Sequence, residues 1–305
     1  MSAAVRFGNF FRRTANQRCR KKMSDNPVCL SNQEAASPSD VSLCMLASGS
    51  KGNAIYVSDG HTAVLVDAGL SGVEIERRMQ SRNLSPESLH AIVVSHEHED
   101  HIRGVGILAR RYNLPVYLTA KTFEAAKSQI KNIPHTVFFD CGTPFNINTL
   151  SIHPFSISHD AAEPSGFTIQ VNQKKIGIAT DLGIVTTMVR HHLKSCNMLI
   201  LEANHDPDML FNGPYPWYLK QRVNGRTGHL SNQDSRLLLE EIQHEQLQHV
   251  ILAHLSETNN TPEKALAEIR PAVDSRYTQL IVSSQDICSR LVLLNSSSSE
   301  SFGGL

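Results

Sequence analysis

The chain predicts an α/β protein in which two mixed β-sheets are stacked beneath outer helices. Three observations lead there. From Val41 onward, short apolar runs alternate with segments of helical spacing, and several of those runs end directly in polar triplets containing His or Asp. The 305 residues allow one substantial core, since an α/β unit of about 250 residues can remain single. No apolar run approaches the roughly 18 residues that would span a bilayer, so a membrane-spanning role is not expected.

Leu43 to Ala47, Ala54 to Ser58 and Ala63 to Asp67 read as strands of an opening meander, punctuated by Gly49-Ser50-Lys51-Gly52-Asn53 and Asp59-Gly60. Val73 to Asn83 has helical spacing. Ala91 to Ser95 is a compact apolar strand that runs straight into a histidine-rich loop, which suits a site at a sheet edge. A helix from Ile102 to Tyr112, a strand at Pro115 to Thr119 and a helix through Lys121 to Ile130 follow. Further strands are expected at Leu150 to Phe155, Phe167 to Val171, Lys175 to Ala179, Met198 to Leu201, His249 to Ala253 and Gln279 to Val282. Ser231 can cap a helix running to His244, and Thr261-Pro262 opens another that ends at Ile269. No internal repeat is visible by period.

The catalytic domain is expected over residues 41–294. Residues 1–40 lack a periodic apolar pattern and predict a disordered basic and polar tail; residues 295–305, rich in Ser and Gly, predict a second. The first 22 residues carry Arg6, Arg12, Arg13, Arg18, Arg20, Lys21 and Lys22 and no acid. Such a start is either a mitochondrial transit peptide or a stretch that disappears if Met23 is the true start, in which case the protein is cytoplasmic. Those 7 of the 29 basic residues leave 22 against 29 acids, a remainder of −7 that argues against nucleic acid unless positive charge is local and metal offsets the acids. The 6 cysteines form no Cys-x-x-Cys pair and read as reduced thiols.

The strongest signal is Ser95-His96-Glu97-His98-Glu99-Asp100-His101, between a strand and a helix. Imidazole and carboxylate suit zinc, manganese or iron. In an extended loop His96 and His98 point to one side, leaving Asp100 and His101 for a neighbouring ion. It is not the zincin helix motif, because no histidine stands four residues after the histidine of a His-Glu pair. Three later segments, Ser158-His159-Asp160, Thr180-Asp181-Leu182-Gly183 and Ala253-His254-Leu255-Ser256, each put a polar residue at a strand's end. Each alone has an ordinary explanation as turn residue, helix cap or hydrogen-bonded core histidine; alongside the main cluster they complete a metal site.

These motifs, in this order over roughly residues 41–290, resemble the metallo-β-lactamase superfamily. Leu46-Ala-Ser-Gly-Ser-Lys-Gly-Asn53, Leu201-Glu-Ala-Asn-His-Asp206 and Gly228-His-Leu-Ser-Asn232 look like its YycJ/VicX branch, also known from WalJ, a bacterial group similar to DNA 5′-to-3′ exonucleases. The resemblance implies an αββα sandwich and two divalent ions, zinc or manganese. His96, His98 and His159 would hold one ion, Asp100, His101 and His254 the other, and Asp181 would bridge them. It further implies that a water activated by the pair attacks a phosphodiester, and that Asp67 orients the ligand loop rather than binding metal.

Fold alone does not choose the substrate. The setting of Glu202 and His229 resembles that of transfer-RNA 3′-processing members, where a glutamate after the bridging aspartate orients a histidine toward the scissile phosphate. His229 is therefore expected as phosphate binder or proton donor and Glu202 as its orienter, so the expected catalytic residues are Asp100, His229 and Glu202. The chain departs from that pattern in the Ala203-Asn204-His205-Asp206 that follows the glutamate and in the long segment before His229, and Gly228 to Asn232 also fits a plain helix start capped by Ser231. Trp217, the single tryptophan, lies among Tyr215, Tyr218, Lys220, Arg222 and Arg226, which suits stacked bases and phosphates; an aromatic element packed on the domain fits equally. His205, Asp206 and Asp208 read as turn chemistry, and His191-His192 as solvated helix positions. The expectation is a DNA exonuclease acting in repair. Its rivals are a hydrolase of a small ester, thioester or lactam, an RNA nuclease, and a metal-binding regulator without catalysis.

Overall fold

The computed structural model describes residues 41–294, so the tails expected at 1–40 and 295–305 lie outside the described residues. Its first half runs β1 (Val41–Ala47), β2 (Ala54–Ser58), β3 (Ala63–Val66), α1 (Gly72–Gln80), β4 (Leu89–Val93), α2 (Glu99–Ile102), α3 (Val105–Tyr112), β5 (Pro115–Leu118), α4 (Ala120–Ile130) and β6 (His135–Phe138). The second half runs β7 (Phe145–Ile147), β8 (Leu150–Ser156), β9 (Ser165–Val171), β10 (Lys174–Ala179), α5 (Thr187–Leu193), β11 (Met198–Glu202), α6 (Pro207–Asn212), α7 (Trp217–Val223), α8 (Asn232–Ile242), β12 (His249–Ala253), α9 (Pro262–Ile269), β13 (Gln279–Val282) and β14 (Val292–Leu294).

Two seven-stranded sheets result, ordered β14-β1-β2-β3-β4-β5-β6 and β13-β12-β11-β10-β9-β8-β7. Each is mixed in the same way. In the first, pairing is antiparallel from β14 to β3 and parallel from β3 to β6. In the second, pairing is parallel from β13 to β10 and antiparallel from β10 to β7. Strand alternation explains the layering: Leu43 and Met45 of β1 join Phe167, Ile169 and Ile200 between the sheets, while Cys44 and Leu46 join Ile75, Met79 and Leu108 under the first helices. Leu199, Leu201, Val250 and Leu252 likewise pack on Leu238, Leu239 and Ile269 beneath α8 and α9. Central strands are buried on both faces, hence their near-continuous apolar sequences. The expected αββα arrangement of two mixed sheets with outer helices is the one observed.

Caps fix where the helices begin. The side chains of Ser71, Thr119, Thr186, Ser231 and Thr261 accept the backbone N–H three residues on at the starts of α1, α4, α5, α8 and α9. The helix expected from Ile102 to Tyr112 is instead two, because the Gly104 N–H is drawn to the Ala68 carbonyl (2.7 Å) and a side chain at that glycine would stand 2.5 Å from the Leu70 carbonyl. The Asp206 to Asp208 turn extends into helix α6, with Asp206 as cap and Pro207 in the first turn. His192 is half-buried rather than solvated: it stacks on Phe155 at 4.6 Å, and burial lowers its pKa to about 4. Among the described residues, no helix is long and apolar enough to cross a membrane, and Cys44, Cys141, Cys196 and Cys288 are free thiols.

Candidate metal centre

The site lies where the strands of both sheets end. β3 stops at Val66, and Asp67 turns the chain with φ of 59°. A left-handed aspartate costs on the order of 1 kcal/mol, and here it aims the carboxylate back at the next strand. Its Oδ1 accepts the Ser95 N–H (2.8 Å), and its Oδ2 accepts the Ser95 hydroxyl (2.8 Å) and His101 Nδ1–H (2.7 Å). His96 and His98 do share a side, with Nε2 and Nδ1 3.1 Å apart. Asp100 and His101 do not extend the loop; they sit on α2, whose carbonyls accept the Asn53 and Ala68 N–H groups at 2.7 and 2.8 Å. Gly69 is required by this approach, since a Cβ there would stand 1.6 Å from the Asp100 carbonyl oxygen. Asn53 also extends its Nδ2 to Asp100 Oδ2 (3.2 Å) and His101 Nε2 (3.0 Å).

The second half contributes separate strand ends. His159 follows β8, its Nδ1–H donating to the Gly228 carbonyl (3.3 Å) and its Nε2 lying 3.3 Å from His98 Nδ1. Asp181 follows β10 and His254 follows β12, both left-handed with φ of 57°. Asp181 reaches both groups: Oδ2 is 3.3 Å from His101 Nε2, and Oδ1 is 3.5 Å from His254 Nδ1 and 3.9 Å from His159 Nε2. Glu202, fully buried at the end of β11, collects four donors. Oε1 accepts His229 Nδ1–H and His254 Nδ1–H at 2.8 Å each, and Oε2 accepts the N–H groups of Leu182 (2.7 Å) and Leu230 (3.2 Å).

A common rule governs His101, His159 and His254. Each has Nδ1–H tied to a carboxylate or carbonyl, which fixes the tautomer and presents Nε2 to the centre. Burial opposes charge on His101 and His254, yet Asp181 and the other carboxylates outweigh it and raise both pKa values well above 6.5. Burial lowers His96, with His101 adding to the effect, and also lowers His159. Burial would raise Asp181, but His254 and His101 hold it well below the usual carboxylate range; Glu202 is held low against burial by His229 and His254.

The donors fit divalent metal. His254 Nε2 and Asp181 Oδ2 are buried and lack a well-formed hydrogen bond, their nearest opposite charges, Asp100 Oδ2 and His101 Nε2, standing 3.8 and 3.3 Å away. Donor atoms lie within 4.8 Å of one another in three groups: His96, His98 and His159; Asp100, His101 and His254; His96, His101 and Asp181. Asp181, Glu202, His229 and His254 are equally close, but four hydrogen bonds occupy both oxygens of Glu202, so it is an acceptor that positions its neighbours.

The structure therefore brings together His96, His98, Asp100, His101, His159, Asp181, Glu202, His229 and His254. It leaves His205 and Asp206 aside, the latter paired with Lys264 at 3.1 Å. Two contributions were not read from sequence: Asn53 beside Asp100, and the hold of Glu202 on His254 as well as His229. The sequence signal for Asn53 was present in the Gly-rich turn after β1; that for the second Glu202 contact lies in strand register alone, Glu202 pairing with Ala253. Beside His229 and His254 opens a cleft of about 180 Å³, lined also by Ser50, Asn204, Tyr215 and Arg222.

Residues 62–255 match the family model of the β-lactamase superfamily domain. The chain is 38% identical over 234 residues to exodeoxyribonuclease YycJ of Bacillus anthracis, covering 76% of this chain and 89% of that protein. It is 36% identical over 230 residues to exodeoxyribonuclease WalJ of Streptococcus pneumoniae, covering 72% and 84%. Among solved structures, the metallo-β-lactamase fold protein YhfI of Bacillus subtilis superposes with a TM-score of 0.65 at 16% identity, over 82% of this chain and 99% of that one.

Proposed function

The chain belongs to the metallo-β-lactamase superfamily, in the branch of YycJ and WalJ, and from that premise we propose that it is a binuclear metal-dependent phosphodiesterase that degrades DNA from the 5′ end. His96, His98 and His159 would hold one divalent ion and Asp100, His101 and His254 the other, with the Asp181 carboxylate within reach of both groups; zinc and manganese both suit these donors. When bound, the ions supply Lewis acidity toward the scissile phosphate and toward an attacking water.

The observation that carries the phosphodiester reading is His229. Its Nδ1–H is anchored on Glu202, its ring lies 5.2 Å from His159 and 5.1 Å from His254, and it lines the cleft. An imidazole fixed in this way presents Nε2 to whatever occupies the cleft. There it binds a phosphate oxygen or gives a proton to the departing oxygen, while the Glu202 carboxylate stabilises the charged ring. Asp67 and Ser95 keep His101 and His96 in register, and Asn53 steadies Asp100. The free thiols among the described residues support a reducing, cytoplasmic setting.

The test is cleavage of 5′- and 3′-end-labelled linear duplex, single-stranded DNA, RNA and a thioester by zinc- or manganese-loaded protein and by His229→Ala. DNA loss from the 5′ end, reduced about 10²–10⁴-fold in His229→Ala with metal content kept, is the expected result. Turnover of the thioester alone would overturn it.

A further inference from the structure

We propose that the exposed aromatic face of α6 and α7 is a stacking platform for unpaired DNA bases, so that substrate approaches the metal centre as a single strand. This rests on the phosphodiesterase reading above and names the form of its substrate. Helix α7 has no fully buried residue: Leu219 and Val223 are half-buried on the side toward the cleft, and Trp217 and Tyr218 are left exposed, so packing on the domain does not account for the two rings. Phe211 and Trp217 are 66% and 61% exposed and line one groove, with Tyr218, 72% exposed, next to Trp217 in sequence; large exposed rings brought together mark a binding surface. The rings of Phe211 and Trp217 meet edge to face, 6.5 Å apart and at 86°, along a groove of about 330 Å³ that Lys220, Gln221 and Asn224 also line, with Asp208 as its one carboxylate.

Continuity with the cleft says what lies there. One face of α7 supplies Trp217, Lys220 and Gln221 to the groove; the other supplies Leu219, Arg222 and Val223 to the cleft beside His229 and His254. The helix is thus a wall shared by groove and cleft. It is braced in place, with Arg222 paired to Asp160 at 2.7 Å and Lys220 Nζ donating to the Phe211 carbonyl at 2.6 Å. Charge agrees: from Met209 to Gly228 the chain carries Lys220, Arg222 and Arg226 and no acid, although residues 23–305 as a whole carry the excess of acids. Arg226 has no ion-pair partner among the described residues. Aromatic faces accept any base and nearby cations meet the phosphates, whereas a duplex, whose inner base faces are already stacked on one another, offers such rings only its terminal or frayed bases.

Trp217 is the only tryptophan, so its fluorescence reports on the platform directly. Metal-free protein is titrated with an oligothymidylate and with a duplex of equal length. Quenching by the single strand, and little by the duplex, is expected. Trp217→Ala should weaken binding of a labelled oligothymidylate at least about fivefold, the low end of one stacked base, and should raise KM for single-stranded DNA in the metal-loaded enzyme without lowering kcat. Trp217→Phe, which keeps a ring, should retain most of the affinity, and Tyr277→Ala, an exposed ring elsewhere, should change nothing. Unmoved emission, equal quenching by duplex, or unchanged affinity in Trp217→Ala would overturn the platform. Quenching and binding without any DNA cleavage would instead keep the platform and remove the phosphodiesterase reading.

Discussion

The donors from His96 to His101 and those from His159 to His254 face one another with different supports. The first group is contiguous, carried by one loop and the first turn of α2, and is held by Asp67, Ser95 and Asn53 on neighbouring elements. The second is assembled from the ends of β8, β10, β11 and β12, so its geometry depends on parallel register: Ala179 pairs with Leu201 and Glu202 with Ala253, which sets Asp181, Glu202 and His254 side by side. A local site can survive small shifts of the sheet around it. A site built on register needs a tie, and Glu202, accepting from His229, His254, Leu182 and Leu230, is that tie.

The largest effect should come from the one residue that joins the halves. Asp181 touches His101 on one side and His159 and His254 on the other, so Asp181→Ala should release metal from both groups. DNA cleavage should then fall by about 10³ or more, the several kcal/mol that metal charge supplies to such a reaction. Metal content per chain decides the matter: loss of half the metal would mean that the halves bind independently. Glu202→Gln comes next. The amide replaces one acceptor oxygen with a donor that faces donors, loosening His229 and His254 together, and should cost about 10–100-fold in metal affinity or activity. The contrast with His229→Ala sharpens the comparison, because that variant should lose activity with metal content kept, whereas Glu202→Gln should lose some of each.

The same contrast explains what could be read in advance. His96, His98, Asp100 and His101 stand within six residues, so composition alone marked them. His159, Asp181 and His254 were marked more weakly, by an apolar run ending in a polar residue. The hold of Glu202 on His254 was hidden, because it exists only once β11 and β12 pair in register. Edge strands β6, β7 and β14 escaped for a different reason: they are short, and β6 is largely exposed, so none carries a full alternating pattern. Helix α7 has no fully buried residue and only Leu219 and Val223 as a half-buried i,i+4 pair, too short an apolar pattern to mark a helix, although its residue types did point to bases and phosphates. The sheets themselves were legible because burial on both faces writes long apolar runs.

A last and smaller effect separates the halves by pH. His96 and His159 have lowered pKa values, so above pH 6.5 they are neutral in folded and unfolded chains alike and contribute no pH dependence. His101 and His254 are raised well above 6.5, chiefly by Asp181 working against burial. Their charged forms stabilise the metal-free protein fully below pH 6.5, and that stability is lost as pH climbs through the raised values. A metal ligand must be neutral imidazole, so ion uptake on the Asp100, His101 and His254 side must expel those protons. Two trends of opposite sign follow above pH 6.5. The metal-free melting temperature should fall with rising pH, while affinity at that side should grow by up to about tenfold per pH unit for each proton expelled. Calorimetric titration of metal in buffers of different ionisation enthalpy measures the released protons. Release from His101 and His254 but not from His96 and His159 is expected, and His101→Gln should abolish part of it. Equal release from both sides would mean that the carboxylates around Asp181 do not distinguish the two halves.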